Sequence, residues 1–300
     1  MQRLFSVSVD LDGLGCYAAI HGQAPEALGP AALRAVPVVA VERLGELFAR
    51  HRLSATLFAI GNELAIDGAA QALRRAAAAG HEVASHSFAH DYALSRRAQP
   101  AIEQDLARAE QAIEAACGQK PRGFRAPGYT LSPALLGAIE ARGMLYDSSL
   151  LPSPPYALAK AAVLGLYALT GKRSQSILGS PGQLFGSRRP HRLGALRELP
   201  VATLPGLRAP VIGTVLNGLP DGLAAWLAKA AFAGGHFNLE LHGLDVLDAT
   251  DGAPAELAAA QPGLRLPAKE KVRRLSALLQ GLQETAQACT LEEAALRLLP

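Results

Sequence analysis

The stretch Ser6-Val7-Ser8-Val9-Asp10-Leu11-Asp12-Gly13 decides the fold of this chain. The run from Leu4 to Val9 is short, apolar and rich in β-branched residues, which predicts a buried first strand. Because side chains in a strand alternate between its two faces, Asp10 and Asp12 are expected to point the same way and to share one pocket. Asp and Gly also form ordinary strand-ending turns, so the aspartate pair alone does not indicate a functional site, and other polar clusters are needed as support.

Strand-like and helix-like segments alternate after this first strand. Residues 41–48 have helical spacing, 54–60 read as a second strand, 69–79 as an Ala-rich helix, and 82–85 as a third strand. Such alternation implies parallel strands joined by right-handed crossover helices. Later strand ends near 123–129, 145–149, 198–201 and 237–242 bring the total to about seven βα units.

Length and composition favour one domain over residues 1–300. The chain has 300 residues and is 50% hydrophobic, which is enough for one large core. Two regions break the βα rhythm: an insertion at about 152–197 and a helical extension at about 268–300. The net charge of +3 comes from 29 basic and 26 acidic residues spread along the chain, so we expect no nucleic-acid partner.

Cysteine usage and the N-terminus predict a cytoplasmic protein. Three widely separated cysteines fit neither a disulfide framework nor a cysteine-based zinc site. The chain runs from Met1 directly into the predicted first strand, which leaves no room for an export signal. No stretch approaches the roughly 18 to 20 apolar residues that span a bilayer.

A second polar cluster, Ser85-His86-Ser87-Phe88-Ala89-His90, completes a candidate metal site. On a helical turn, two histidines four residues apart share one face, although such a pair alone commonly marks an ordinary surface helix. With Asp12 the two histidines form a set of two imidazoles and one carboxylate, which leaves coordination positions open as a catalytic site requires. Zn²⁺ is the expected ion, and Co²⁺, Ni²⁺, Mn²⁺ or Fe²⁺ would also suit these ligands.

Five motif blocks occur in a fixed order over about 240 residues. They are the Asp10/Asp12 pair, the His86/His90 block, Arg125-Ala126-Pro127, Tyr146-Asp147-Ser148-Ser149 and Leu241-His242. In these blocks the chain resembles the polysaccharide deacetylase superfamily, the NodB-like domain of carbohydrate esterase family four. The resemblance implies a distorted (β/α)7 barrel. Leu11 separates the two aspartates, whereas the commoner family form has them adjacent, so the substrate stays open.

The resemblance also implies a role for each matching residue. Asp10 would be the general base, and Asp12, His86 and His90 would hold the metal ion. Arg125 would pair with Asp10 and keep it ionised, because a neighbouring cation lowers a carboxylate's pKa.

His242 would be the general acid that protonates the departing amine. Either Asp147 or Asp245 would orient it, and the sequence does not choose between them. The other residues expected at the substrate are Leu241 and the loop of Pro127 and Tyr129. The backbone N–H of Tyr129 would help to stabilise the oxyanion.

The implied activity is a metal-dependent deacetylase acting on non-peptide amide bonds. We expect it to remove an acetyl or formyl group from an amino sugar, in an intracellular or lipid-linked glycan precursor. The alternatives are hydrolysis of a linear or cyclic non-sugar amide, as in allantoinase-like or imidase-like relatives, and carbohydrate binding without catalysis. An apolar segment with nearby basic residues, within 157–192, suggests peripheral contact with the inner face of the membrane, against the alternative of an ordinary buried insert. The oligomeric state is not indicated.

Overall fold

The structure is a computed structural model that describes residues 3–169 and 174–300. Its strands are β1 (Leu4–Asp10), β2 (Thr56–Ala59), β3 (Glu82–Ser85), β4 (Gly123–Phe124), β5 (Tyr146–Asp147), β6 (His191–Leu193), β7 (Leu196–Glu198), β8 (His236–His242) and β9 (Gln287–Ala288). They form one sheet in the order β6-β7-β5-β4-β3-β2-β1-β8, and β9 adds to β1. The pairs are parallel except for the antiparallel hairpin of β6 and β7.

Helices occupy most of the connections between these strands. They are α1 (Leu14–Ile20), α2 (Pro30–Arg34), α3 (Val41–Arg50), α4 (Ala69–Ala78), α5 (Gln99–Cys117), α6 (Pro133–Ala141), α7 (Pro154–Leu169), α8 (Pro181–Leu184), α9 (Gly213–Leu216), α10 (Asp221–Ala230), α11 (Ala255–Ala260), α12 (Ala268–Gln283) and α13 (Leu291–Leu298). The predicted alternation of helices with parallel strands is therefore confirmed. Within the described ranges, no helix combines the length and the apolar character needed to cross a bilayer.

The helix predicted over 41–48 begins earlier than its spacing indicates. A π-helical segment, Ala35–Ala40, joins α2 to α3 without a break. Pro37 lies inside this segment, which is a place where a proline normally ends or kinks a helix because it has no N–H to donate. Single π turns of this kind relieve such a conflict inside an otherwise α-helical run.

β1 lies next to the last strand of the sheet order and fixes the register of the site. It pairs with β2 on one side, and on the other it pairs with β8 along its whole length, from Leu4 opposite His236 to Asp10 opposite His242. The main apolar core surrounds these two strands and includes Phe5, Val7 and Leu239. The chain after β7 then reaches β8, since the Ala202 N–H donates to the Asn238 carbonyl at 3.2 Å. The sheet is thereby curled, and the carboxyl ends of its parallel strands meet at one edge.

The predicted insertion at 152–197 contains α7, α8 and the β6–β7 hairpin. The strand expected at 198–201 lies slightly earlier, at Leu196–Glu198, and it joins the sheet beside β5. The predicted helical extension begins with α12, continues through the short strand β9, and ends in α13 behind the capping box of Thr290 and Glu293.

Candidate active site

Two histidines and one aspartate meet at the carboxyl ends of β1 and β3. His86 directly follows β3, and the 86–90 segment is a loop rather than the expected helical turn. Ser87 and His90 have φ values of 66° and 50°, in the left-handed region. Asp105 on α5 holds the loop by accepting two of its backbone N–H groups, at 2.8 and 3.1 Å. The loop thus turns both imidazoles toward Asp12 without a shared helical face.

The three side chains present their ligand atoms to one another. The Asp12 Oδ1 atom lies 3.2 Å from His86 Nε2 and 3.3 Å from His90 Nε2. His86 Nδ1 lies 2.8 Å from the Arg125 carbonyl oxygen. Because a carbonyl only accepts, Nδ1 carries the hydrogen and Nε2 keeps its lone pair for a ligand.

Two atoms of this cluster are buried without a hydrogen-bond partner among the described residues: Asp12 Oδ1 and His90 Nε2. Buried polar side-chain atoms normally have one. The ligand atoms of Asp12, His86 and His90 all lie within 4.8 Å of one another. Two imidazole nitrogens and one carboxylate form a donor set typical of a catalytic zinc site. The residues therefore fit a divalent metal ion.

Charge interactions within the cluster are strong. Burial opposes ionisation of Asp12, but His90 and His86 outweigh it and hold the pKa of this carboxyl well below its ordinary value. Burial likewise opposes protonation of His86, yet the carboxylates of Asp10 and Asp12 raise its pKa overall. The protein thus gathers negative charge where a cation would sit.

Asp10 forms a buried ion pair beside this cluster. Its Oδ1 atom accepts from Arg125 Nη1 at 2.6 Å, and its Oδ2 atom lies 3.9 Å from His86 Nε2. Arg125 is completely buried; it also donates to the Ser8 hydroxyl at 2.9 Å and to the Ser148 carbonyl at 2.8 Å, and it lies over the Phe58 ring. Burial would lower the pKa of Arg125, but the Asp10 carboxylate raises it overall. A charge held on several sides is fixed in position, so one Asp10 oxygen is anchored while the other faces the cluster.

His242 approaches from the last long strand and has its own carboxylate. The side chains of Glu240 and His242 share one face of β8, and His242 Nδ1 lies 2.8 Å from Glu240 Oε1. Its Nε2 atom lies 3.9 Å from Asp12 Oδ2. Burial opposes the imidazolium form, but Glu240 raises the pKa of His242 well above its ordinary value. The Glu240 carboxylate therefore favours the protonated ring next to the metal-ligand cluster.

Asp147 does not contact His242, contrary to one of the two alternatives from the sequence. Its carboxylate accepts from the Ser149 hydroxyl at 2.7 Å and from the Ser149 N–H at 3.1 Å. Ser149 Oγ in turn accepts the Ala126 N–H at 2.8 Å. Asp147 is fully buried, so it supports the loop that carries Arg125 instead of touching a substrate.

Asp245, the other alternative, contacts the backbone and not the ring. Its Oδ2 atom accepts the His242 N–H at 2.9 Å. The contact to the imidazole comes from Glu240, which was not assigned a role from the sequence. Its signal was present: Glu240 is the one acid in the predicted strand, between Leu239 and Leu241 and two residues before His242.

Tyr129, Pro127 and Leu241 were also predicted to lie at the substrate, and only the Tyr129 side chain lines the cavity. The Tyr129 N–H donates to the Ala126 carbonyl at 3.0 Å across a tight turn in which Gly128 has a φ of 61°, and its expected contact with an oxyanion stays a prediction. The Tyr129 ring still lines the cavity. Pro127 is buried behind the turn, and Leu241 points away from Glu240 and His242 into the core.

A cavity of about 220 Å³ opens at these residues. Besides Asp10, Asp12, His86, His242 and Asp245, its lining includes four tyrosines and a lysine: Tyr17, Tyr92, Tyr129, Tyr156 and Lys160. Sequence reasoning missed all of these except Tyr129, since they come from α1, a loop and α7, and no spacing connects them. The volume is below the ~300–1,000 Å³ of many small-molecule pockets, so it suits a compact group.

Comparisons with known proteins agree with this geometry. A family model described as polysaccharide deacetylase matches residues 35–146. The chain is 39% identical over 83 residues to a chitooligosaccharide deacetylase of Bradyrhizobium sp. (strain ANU 289), which is 27% of this chain and 36% of that protein. The predicted resemblance to the polysaccharide deacetylase superfamily is confirmed. The family match contains His86, His90 and Arg125, whereas Asp10, Asp12 and His242 lie outside it.

A second relative, the peptidoglycan deacetylase of Helicobacter pylori (strain ATCC 700392 / 26695), is 30% identical over 114 residues, 38% of each chain. The chain therefore matches little more than a third of the length of these deacetylases. Among solved structures, one assigned to a polysaccharide deacetylase of Mycobacterium smegmatis has a TM-score of 0.61 at 18% identity, covering 98% of this chain and 89% of that one.

A pseudoenzyme of carbohydrate esterase family four from Bacillus anthracis has a TM-score of 0.53 at 12% identity, covering 98% of this chain and 66% of that one. These likenesses confirm the deacetylase-type (β/α)7 fold. Because a pseudoenzyme shares the fold, the fold alone does not establish activity.

Proposed function

We propose that this protein is a metal-dependent hydrolase that removes an N-linked acetyl or formyl group from an amino sugar. The observation that supports it best is the placement of three side-chain sets around one cavity. Asp10 with Arg125 lies on one side, His242 with Glu240 lies on the other, and Asp12, His86 and His90 lie between them. A proton acceptor, a proton donor and a set of metal ligands are the groups that metal-assisted hydrolysis of an unactivated amide uses.

In this proposal Asp12, His86 and His90 hold the ion, with Zn²⁺ as the first candidate. When bound, such an ion supplies Lewis acidity that polarises the acyl carbonyl and makes water more acidic. The other ions named for this ligand set are distinguished by elemental analysis of the purified protein.

Asp10 is proposed to take the proton of the attacking water. Arg125 aims this carboxylate through Oδ1 and leaves Oδ2 on the side of the ligand cluster. Arg125 also balances the charge of this buried carboxylate, because a buried ion without a partner is costly.

His242 is proposed to give a proton to the amine nitrogen as the carbon–nitrogen bond breaks. An amine leaves from a tetrahedral intermediate only after protonation, so this step needs an acid that is still charged at neutral pH. Glu240 provides that condition by favouring the imidazolium.

The proposed substrate class follows from the cavity and the relatives. The two similar proteins carry the names chitooligosaccharide deacetylase and peptidoglycan deacetylase. Four tyrosine rings in a small cavity suit one sugar ring with its acyl group. The cavity favours a single amino sugar, free or lipid-linked, over a sugar unit in the middle of a polymer. A non-sugar amide is the competing substrate. We propose that residues 1–300 form one catalytic domain around this site.

Acyl release tests the proposal directly. Acetate and formate would be measured after incubation with N-acetyl and N-formyl amino sugars, chitooligosaccharides, lipid-linked sugars, and linear and cyclic amides. We expect release from an amino sugar, loss of release after chelation and recovery when Zn²⁺ or Co²⁺ is restored. Turnover of cyclic amides alone would replace the sugar assignment. No turnover of any substrate by metal-loaded protein would refute the hydrolase.

A further inference from the structure

Helix α7 lacks the polar outer side of an ordinary surface helix. Its side that faces the protein carries the polar residues Tyr156, Lys160 and Tyr167. Its exposed residues are all apolar: Leu158, Ala159, Ala162, Val163, Gly165, Leu166, Ala168 and Leu169. A helix on a globular protein in water normally places apolar residues inward and charged residues outward. The exposed side of α7 is therefore suited to an apolar environment.

The inward polar residues attach α7 across the catalytic cavity. Tyr156 packs edge-on against Tyr129 with ring centroids 6.0 Å apart, and Lys160 Nζ lies 3.5 Å from the Gly128 carbonyl oxygen. Farther along, the Tyr167 hydroxyl lies 2.8 Å from His21 Nδ1 at the end of α1. The helix thus extends from the loop after β4 to α1, and its position is tied to the cavity.

The apolar side is large and strongly exposed. Leu158 is 71% exposed, Val163 48% and Leu169 87%. Exposed apolar residues scattered singly are normal, but a contiguous patch marks an interaction site. A helix of 16 residues is about 24 Å long, so it is too short to span a bilayer and long enough to lie along its surface.

Charge is segregated into the same insertion. Residues 152–197 contain seven of the chain's 29 Lys and Arg residues and none of its 26 Asp and Glu residues. The rest of the chain therefore has 22 basic and 26 acidic residues, a net charge of −4 against +7 for the insertion. Arg189 and Arg192, which follow α8, are exposed. A basic, carboxylate-free segment is attracted to anionic lipid headgroups.

We infer that the insertion docks on an anionic bilayer surface, with the exposed side of α7 immersed at the headgroup boundary. The Leu, Val and Ala side chains there carry no hydrogen-bonding group for a protein partner and match the apolar layer beneath the headgroups. A second copy of the chain is a poorer occupant, because two insertions of charge +7 would face each other. Docking through α7 places the helix that covers the cavity at the lipid interface.

Vesicle sedimentation of the full-length protein tests this inference without any assay of catalysis. We expect the protein to sediment with vesicles of phosphatidylcholine and phosphatidylglycerol, more weakly with phosphatidylcholine alone, and less as salt is raised. The variant Leu158→Glu/Val163→Glu should bind at least about tenfold more weakly, because two immersed apolar side chains become charged. Leu223→Glu, a control on α10 where the leucine is 43% exposed, close to Val163, should bind like the wild type.

The electrostatic part has its own variant. Arg189→Gln/Arg192→Gln should weaken binding to anionic vesicles by about tenfold or more, whereas Arg50→Gln on α3 should leave it unchanged. This pair lies outside α7, so it tests the inference even if the glutamate pair does not fold. Equal sedimentation with and without anionic lipid would overturn the inference. Binding at the wild-type level by both double variants would also overturn it. A third contrary result would be a wild-type protein that does not bind vesicles and forms a dimer, seen by light scattering, that Leu158→Glu/Val163→Glu dissociates.

Discussion

At the scale of single residues, the two aspartates that begin the site have different surroundings. Asp12 contacts two imidazoles and Asp10 contacts a guanidinium. Residue types and order were enough to select both aspartates, His86, His90, Arg125 and His242 in advance. They were not enough to identify Glu240 as the contact of His242, because a strand places its side chains by register and several acids lay near in sequence.

Asp10→Asn separates chemistry from metal binding. Removing the base should lower kcat by about 10²–10⁴-fold, while the metal content measured by elemental analysis stays near that of the wild type. His90→Ala should instead lose the metal, because it removes one of three ligands. Asp67→Asn, at an exposed aspartate, serves as the control. Wild-type turnover in Asp10→Asn would disprove the assignment of the base.

Glu240→Gln changes the pH dependence of the proposed acid. The Glu240 carboxylate raises the pKa of His242, so a neutral amide should let that pKa fall. Because the acid works in its protonated form, the basic limb of the profile of kcat/KM against pH should move to lower pH. Glu256→Gln, at an exposed acid on α11, should not move it. An unmoved limb in Glu240→Gln would show that Glu240 does not set the protonation of His242.

At the scale of elements, periodicity predicted the longer helices and strands well and the 86–90 loop wrongly. Four-residue spacing is compatible with a helical turn, but the left-handed Ser87 and His90 are held by Asp105 on α5, which is a contact from a distant part of the chain. Local sequence carries no record of such a contact. The two-residue strands β4 and β9 are also set by their neighbours in the sheet.

The N-terminus of α6 is an element that the sequence predicted from Ser132 and Pro133. The Ser132 hydroxyl accepts the Leu135 N–H at 3.2 Å, as an N-cap should. Ser132→Ala should lower the free energy of unfolding by about 1 kcal/mol, measured by urea denaturation, because one helix N–H loses its partner. Ser132→Asp should retain most of the stability, since its carboxylate can accept the same N–H. Equal losses in both variants would point to packing and not to capping.

At the scale of the whole molecule, the alternation of strands and helices predicted an α/β fold but not the orientation of its parts. The insertion was recognised from its prolines and basic residues, yet both the burial of Lys160 at the cavity and the outward face of α7 depend on how the helix is rotated. A helix with apolar residues on most of its circumference gives no reliable orientation from its spacing.

His236 links global stability to pH at the far end of the barrel from the site. It is buried at the start of β8 with its Nε2 atom 3.0 Å from the Ser6 hydroxyl, and burial lowers its pKa to about 4. The unfolded chain binds this proton near pH 6.5 and the folded chain does not, so stability is lost as pH falls from about 6.5 to 4. The loss from this residue should be about 3 kcal/mol.

His236→Gln provides the measurement, because Gln cannot titrate. Urea denaturation at pH 7 and at pH 4.5 should show a smaller acid loss in the variant than in the wild type, whatever its stability at pH 7. The same acid loss in both proteins would contradict a neutral buried His236.

The pairing of β1 with β8 fixes the relative positions of two residues of the site. Asp10 and His242 are opposite residues of one hydrogen-bonded ladder, so their backbones lie one strand spacing apart, about 4.8 Å, and this ladder sets where the proposed base and the proposed acid leave the sheet. The loops and the insertion that surround the cavity do not affect this spacing. Loop grafting from a related barrel should therefore exchange substrate preference while the spacing of acid and base is inherited unchanged.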